Sequence, residues 1–286
     1  MVVFGVMRVT MLLAVEWAVL HSLFGKELAT GIVSMITICA FLSEPFSRWF
    51  SKLRNINKVD GYTRNRITNI RNTLVAEVKK KFGLNISHVK VYVIPDDEVM
   101  EAKAYGIGTL GITRAALQLD DITVLALLSH SAGQMLRLDV VFNRLVQVTL
   151  LAIIVTFLLS NMLLVACLWF GFLVACLLRK SCIWSFIITN ILVKVARAIL
   201  RFLEQVVVLG YGLLMRGFNC YSIIQADKFV SELSLGRHMI YFLDRFACEE
   251  TQSRLGVSDC FLKMTPSVSK RKMRLENFEV LRLKRA

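Results

Sequence analysis

The sequence lacks charge over its longest apolar stretch, since no Asp, Glu, Lys or Arg occurs between Val146 and Leu178. At 1.5 Å per residue this stretch forms about 50 Å of helix, well beyond a hydrocarbon core of roughly 30 Å. The chain is 56% hydrophobic and its mean hydropathy is +0.58. These values exclude an ordinary soluble domain and indicate an integral membrane protein. The stretch predicts either one long helix or a hairpin that breaks near Ser160 and Asn161.

The seven cysteines include no C-x-x-C pair, and their number is odd. This pattern argues against a disulfide framework and favours reduced thiols on the membrane or cytoplasmic side. A cleavable signal peptide is not evident either. Arg8, Glu16 and His21 interrupt the apolar N-terminus, and no small-residue cleavage site stands out. Residues 2–24 are therefore predicted to form a retained membrane helix.

Acidic residues are few, with 21 Asp and Glu against 35 Lys and Arg, which gives a formal charge of +14. The basic residues do not alternate with aromatics on a recognisable nucleic-acid module, so no nucleic-acid partner is predicted. Cytoplasmic loops of membrane proteins collect Lys and Arg, and the lipid bilayer is the partner that this charge favours. A second apolar stretch, residues 28–43, ends at Glu44-Pro45. Four basic residues follow it and assign that end to the cytoplasm: Arg48, Lys52, Arg54 and Lys58.

The polar parts of the chain carry helix and strand patterns. Apolar residues recur at helical spacing over 62–82, with Gly83 placed to end the helix. Residues 89–94 read as a strand, and the Gly-rich residues 102–112 as a second strand at a sheet edge. Asp120 and Asp121 open a helix that is predicted to run to about residue 143, and residues 216–247 look helical. The number of membrane crossings between 146 and 200 should be even, because the flanking polar parts must meet in one domain.

Two segments resemble a zinc-protease site with most of its chemistry removed. Residues 130–134 read H-S-A-G-Q where such a helix reads H-E-x-x-H, and residues 223–227 read I-I-Q-A-D where the third ligand motif reads E-x-x-A-D. In a working site, two His one turn apart face one metal, and the Glu between them takes a proton from zinc-bound water. Here His130 remains, Ser131 occupies the base position, and Gln134 and Ile223 occupy the other two ligand positions.

These motifs resemble the HtpX-type membrane-embedded zinc metallopeptidases over nearly the whole chain. Residues 101–106 resemble the edge-strand motif N-A-x-A-x-G with Glu101 in place of Asn. Asp139 lies nine residues after His130, as the aspartate of that family does. Residues 265–271 resemble the closing motif H-P-x-x-x-K-R, with Thr265 in place of His. The resemblance implies a zinc endopeptidase of the bacterial inner membrane whose soluble parts face the cytoplasm.

The fold class that follows is mainly α with a small β-sheet, in an integral membrane protein. About four transmembrane helices are expected, with a discontinuous zincin-type domain. We expect a transmembrane hairpin over 1–45, a first part of the peptidase-like domain over 46–143, a second transmembrane region over 144–205, and the second part with a basic tail over 206–286. The edge strand, through Ala102, Ala104 and Gly106, suits an extended peptide.

The departures from the family decide the expected chemistry. Gln134 offers only an amide oxygen, Ile223 offers no donor atom, and the Ser131 hydroxyl is a poor base, so no catalytic residue and no bound zinc are expected. Only His130 survives as a metal-ligand position. Three remnants of the family motifs remain: Asp139, Asp227 and Thr265. In the family, Asp227 and Asp139 would brace the ligand helices; without a metal they could still pair with His130 or Arg137, or cap a helix.

The predicted function is a proteolytically inactive relative that binds membrane proteins or peptides. A first alternative is an active metalloendopeptidase with a rearranged site, for example one that uses Cys220 with His130 and Gln134. His238 lies 15 residues after Ile223. A second alternative is a non-enzymatic membrane scaffold or transport component, in which Glu16, His21 and Asn161 would be the polar residues to follow.

Overall fold

The structure is a computed structural model and describes residues 2–50, 53–56, 59–177, 182–246 and 266–284. Most of these residues are helical, and the rest include a small mixed sheet. Three helices are long and apolar enough to cross a membrane, over Val2–Ser22, Asp139–Val174 and Ile187–Glu232. A mainly helical fold with a small sheet is therefore confirmed, and the three candidate spans are consistent with a membrane protein. The expected count of about four spans is not reached among the described helices.

The N-terminal helices form a hairpin, with α1 over Val2–Phe24 and α2 over Lys26–Phe50. Gly25 connects them with a φ of +84°, a conformation that glycine adopts without strain. Trp17 Nε1 on α1 donates a hydrogen bond to Thr30 Oγ1 on α2. Helix α2 continues beyond the end of the second apolar stretch, through Pro45 to Phe50. A proline removes only one bond of the helical ladder, which a long helix can tolerate at its end.

Two long helices follow the sheet region. Helix α5 covers Asp139–Leu177 and α6 covers Cys182–Glu232. The apolar stretch after Val146 is thus one continuous helix through Ser160 and Asn161, which confirms the first of the two alternatives. These two helices contain the candidate spans Asp139–Val174 and Ile187–Glu232, and the even number of crossings between 146 and 200 stays a prediction.

Helix α3, over Gly61–Phe82, confirms the predicted amphipathic helix. The Asp60 side chain accepts a hydrogen bond from the Thr63 N–H, which satisfies one of the free donors of the first turn. Gly83 ends the helix in the left-handed region with a φ of +67°, and its N–H is bonded to Lys79 O. The apolar positions of this helix, Ile67, Ile70, Leu74 and Val78, are buried.

The sheet has four strands in the order β1-β2-β4-β3. They are β1 (Arg54–Asn55), β2 (Lys90–Ile94), β3 (Ala102–Ala104) and β4 (Thr109–Thr113). Strand β2 pairs in parallel with β4 and antiparallel with β1, and β3 pairs antiparallel with β4. The prediction of one strand over 102–112 is wrong, because the chain reverses within it and Tyr105 N–H bonds to Thr109 O. The prediction that this segment supplies a sheet edge is confirmed, since β3 is the outer strand.

Helix α4, over Asp121–Leu136, begins at the Asp120 cap that the sequence predicted. It does not run on to residue 143, because Leu138 has a φ of +55° and α5 starts at Asp139. The helical stretch over 216–247 is also interrupted. Helix α6 ends at Glu232, Ser234 has a φ of +66°, and α7 covers Gly236–Arg245. The basic tail forms α8 over Val268–Leu283.

The chain divides into two compact units, residues 1–145 with 216–286, and residues 146–215. The first unit holds the sheet and a buried apolar core to which α3, α4, α6, α7 and α8 contribute. Its largest fully buried side chains include Phe229, Ile67, Leu74, Leu110, Leu128, Leu243 and Leu275. The second unit contains the apolar arms of α5 and α6. The candidate site lies entirely in the first unit.

Candidate functional site

Helices α4 and α6 bring the two motif segments together in antiparallel register. Residue 130 contacts residue 227, and residues 134 and 223 line the same cavity. Gly133 allows this approach, because a Cβ at that position would lie 3.1 to 3.2 Å from Phe229 atoms. Positions 134 and 223 share this cavity, but His130 is not among its lining residues, so the convergence of all three positions on one point stays a prediction.

Asp227 is the centre of a buried charge cluster that joins three helices. Its side chain is 1% exposed, and Oδ1 lies 3.0 Å from Nδ1 of His130 on α4. The His130 N–H is poorly aligned with this oxygen, so the contact is electrostatic rather than a well-formed hydrogen bond. Arg271 on α8 donates two hydrogen bonds to the same carboxylate, from Nε at 2.9 Å and from Nη2 at 2.7 Å. This bidentate pair supplies the positive charge that a buried carboxylate requires.

Gln134 and Ile223 line a small cavity of about 110 Å³. Its other lining residues are Asp139, Val140, Asn143, Asn219 and Ser222. His130 and Ser131 are not among them. Ser131 is fully buried, and its hydroxyl has no hydrogen-bond partner among the described residues. Positions 134 and 223 therefore share a pocket, while Ser131 lies in the protein core.

Asp139 anchors the junction between α4 and α5. Its carboxylate accepts hydrogen bonds from Arg8 Nη2 at 2.7 Å, from Ser222 Oγ at 2.6 Å and from Arg137 Nε at 3.3 Å. The Arg8 guanidinium also bonds to Arg137 O and lies over the Phe4 and Phe218 rings. Both pairings named from the sequence are present, Asp227 with His130 and Asp139 with Arg137. The partners Arg8, Arg271 and Ser222 were not foreseen.

Gly5 fixes how closely α1 approaches this junction. A Cβ at Gly5 would lie 2.3 Å from Arg137 O, the carbonyl that also accepts from Arg8. We expect Gly5→Ala to push α1 away and to lower the free energy of unfolding by about 1 to 3 kcal/mol, as overpacking of a close contact does. Thermal and urea unfolding of the protein in mild detergent measures this effect.

Gly31→Ala is the matched control, because Gly31 lies on the second helix of the same hairpin and a Cβ there meets no atom within 4 Å. Alanine at that helical position should leave stability unchanged or raise it slightly. Equal effects of the two substitutions would show that α1 does not dock through Gly5.

The residues of the site do not fit zinc. In zinc sites the second nitrogen of a His ligand faces a carboxylate, and Asp227 stands in that relation to His130 Nδ1. Gln134 and Ile223, however, supply no strong donor beside it. Among the described residues, no three His, Cys, Asp or Glu side chains lie close enough to hold a metal. Cys220 is not among the cavity residues, and His238 lies near Asp120 at the start of α4.

Strand β3 lies beside α4 at the open edge of the sheet. The bonds of Tyr105 N–H to Thr109 O and of Thr113 N–H to Glu101 O fix which residues of β3 face β4. Because an antiparallel ladder alternates, the N–H and C=O groups of Ala102 and Ala104 point away from β4. Gly106 lies outside the strand and is buried in the turn that follows it.

The remaining sequence candidates are distributed over other parts of the chain. Glu16 and His21 lie on α1, whereas Asn161 lies on α5 in the other compact unit. Thr265 lies outside the described residues. Arg8 carried a signal that could have been used, because an Arg within an apolar helix requires a partner. Arg271 belongs to the closing motif, but nothing in its local sequence indicated Asp227.

No protein-family model and no curated protein matches this chain.

Proposed function

We propose that this protein is a non-hydrolytic relative of the HtpX-type membrane metallopeptidases that binds an extended segment of a membrane protein. One observation carries the proposal. His130 and Asp227 keep the relation of a metal ligand to its carboxylate brace, while Gln134 and Ile223 line a shared cavity without supplying ligands. The frame of a metal centre without its donors suits binding and does not suit hydrolysis.

The edge strand provides the surface for such a segment. Ala102 and Ala104 direct backbone donors and acceptors outward, and their small side chains leave the edge open to a second backbone. An added strand gains main-chain hydrogen bonds that depend little on sequence, which suits partners with varied sequences. Because β3 lies beside α4, a bound segment would pass near the helix that carries His130 and Gln134.

The membrane helices support a partner within or near the bilayer. Three candidate spans hold the chain in a lipid environment. The basic residues that follow α2 favour a cytoplasmic position for the sheet-containing unit. We extend the proposal to the bacterial inner membrane, on the strength of the family resemblance alone.

The binding step can be tested with fluorescein-labelled β-casein, an unfolded polypeptide, and the full chain in lipid nanodiscs. Ala104→Pro removes the outward N–H of the edge, so we expect affinity by fluorescence anisotropy to fall about tenfold. Ala104→Val keeps the N–H at the same position and favours a strand, so it should bind as the unchanged chain does.

Hydrogen exchange at β4 checks that β3 remains paired in both variants. If proline and valine bind β-casein equally, the edge is not the binding surface. Gel and mass-spectrometric analysis of the casein after incubation with added zinc tests the other half of the proposal. Specific cleavage that His130→Ala abolishes would show a working protease with a rearranged site.

A further inference from the structure

Helix α6 carries a basic face between two charge-free stretches. Lys194, Arg197 and Arg201 are all exposed, and their spacing of three and four residues directs them to one side of the helix. None of the three is paired with a carboxylate in the part of the chain that the structure describes. We call these three side chains the α6 basic face.

The surroundings of this face along the helix are mostly apolar. Residues 182–193 before it and 205–215 after it carry no charge, and Glu204 is the one acidic residue in the sequence from 182 to 215. Helix α5 also carries no charge from Val146 to Leu177. Many of the apolar side chains on these arms are exposed, among them Leu163, Phe170, Ile188, Phe202 and Leu209. The unit that contains the α6 basic face is therefore coated by hydrocarbon side chains, which favour lipid over water.

The dimensions of α6 limit where the cations can lie. Each charge-free stretch has about a dozen residues and spans roughly 17 Å, so neither crosses a hydrocarbon core of roughly 30 Å alone. A charged side chain at the centre of a bilayer is costly, and long basic side chains reach toward the headgroups. Lys194 and Arg201 are separated by about 10 Å along the axis, a distance that the headgroup layer and these flexible side chains together accommodate.

From these observations we infer that the α6 basic face lies at the membrane–water interface and binds the phosphate groups of anionic phospholipids. Arg forms bidentate hydrogen bonds with phosphate, and Lys adds a compact positive charge. The positive charge of the face requires an anionic partner. The uncharged stretches 182–193 and 205–215 on either side favour lipid over water, so the anionic headgroup of a phospholipid fits both. This inference does not depend on the peptide-binding edge, which lies in the other compact unit.

The binding can be measured by native mass spectrometry of delipidated protein in mild detergent, titrated with phosphatidylglycerol and with phosphatidylcholine. The variant Lys194→Gln/Arg197→Gln/Arg201→Gln should lose phosphatidylglycerol affinity on the order of 100-fold, since each cation near an anionic surface contributes about fivefold. Phosphatidylcholine binding should change little. The matched control is Lys79→Gln/Lys80→Gln/Lys81→Gln, which removes the same charge from exposed residues of α3.

Equal loss in the two triple variants, or no loss in either, would overturn the inference. Competition with inorganic phosphate distinguishes the source of the anion. A lipid site should keep its phosphatidylglycerol in excess free phosphate, whereas displacement at comparable concentrations would point to a free-phosphate site and contradict the proposal. Far-UV circular dichroism confirms that the variants remain helical.

Cysteine labelling gives an independent readout of position. The cysteine-free protein is reconstituted in nanodiscs, in which the reagent reaches both faces of the bilayer. There, Ala198→Cys should react with a polar, membrane-impermeant maleimide. Ile188→Cys and Leu209→Cys flank it on the exposed surface, and at least one of them should be protected by lipid. Protection of Ala198→Cys, or full reaction at all three positions, would exclude an interfacial location.

Discussion

Purified protein carrying Gln134→His and Ile223→Glu is expected to hold about one zinc ion per chain. The double variant restores a donor set of two His and one Glu, the set of many catalytic zinc sites. Positions 134 and 223 already line one cavity of about 110 Å³, and His130 already has Asp227 at its Nδ1. Zinc affinity should rise by at least about 1000-fold over the unchanged chain, since two strong ligands are gained. Metal analysis after gel filtration and competition with a fluorescent chelator measure it.

The matched control keeps Gln134→His but replaces Ile223 with Leu, which preserves the apolar character of the cavity and offers no donor. Adding His130→Ala to the double variant should abolish the site as well. A double variant that folds normally and holds no zinc would mean that positions 130, 134 and 223 do not converge. The resemblance to a metallopeptidase site would then fail.

Hydrolysis requires a third substitution, which is expected to lower the stability of the protein. Ser131→Glu would supply the general base, but Ser131 is fully buried and does not line the cavity. A carboxylate placed there without a partner is expected to destabilise the protein, so zinc binding should be easier to restore than cleavage.

The sequence correctly predicts the helix ends that depend on a residue within one turn of the end. Asp60 and Gly83 bracket α3, and Asp120 caps α4, because a side-chain acceptor and a left-handed glycine act within one helical turn. The reversal between β3 and β4 was missed although Gly106 and Gly108 are turn residues. The glycines and small residues over 102–112 instead favoured one strand at a sheet edge.

The end of α4 could not be read from the sequence, because its causes are distant in the chain. The apolar pattern continues from Leu136 to Val141, and Leu138 is a poor residue for a φ of +55°. What holds the junction is the contact with Arg8 and Gly5 from α1, more than 125 residues away. The same limit applies to the site, where the His130–Asp227 pair followed from the motif frame but Arg271 did not.

The second large effect is expected from Arg271→Met, which should lower the free energy of unfolding by about 3 to 5 kcal/mol. This substitution keeps the volume of the side-chain stem and leaves the Asp227 carboxylate buried without its main partner. Urea unfolding followed by far-UV circular dichroism measures the loss. The double variant Arg271→Met/Asp227→Leu should recover most of the stability, because an apolar pair of similar volume often replaces a buried ion pair without cost.

Lys272→Met tests whether burial, rather than the presence of an ion pair, produces this effect. Lys272 is adjacent on α8, and its Nζ lies 2.8 Å from Asp244 Oδ1, a distance close to that of the Arg271–Asp227 pair. The Lys272 and Asp244 side chains are, however, both solvent-exposed. Solvent screening makes such surface pairs contribute little, so no measurable change is expected. If Arg271→Met is as mild as Lys272→Met, Asp227 is not held by α8. The His130–Asp227 contact would then have to be stable without the C-terminal helix, and the three-helix cluster would no longer explain how these two side chains are held together.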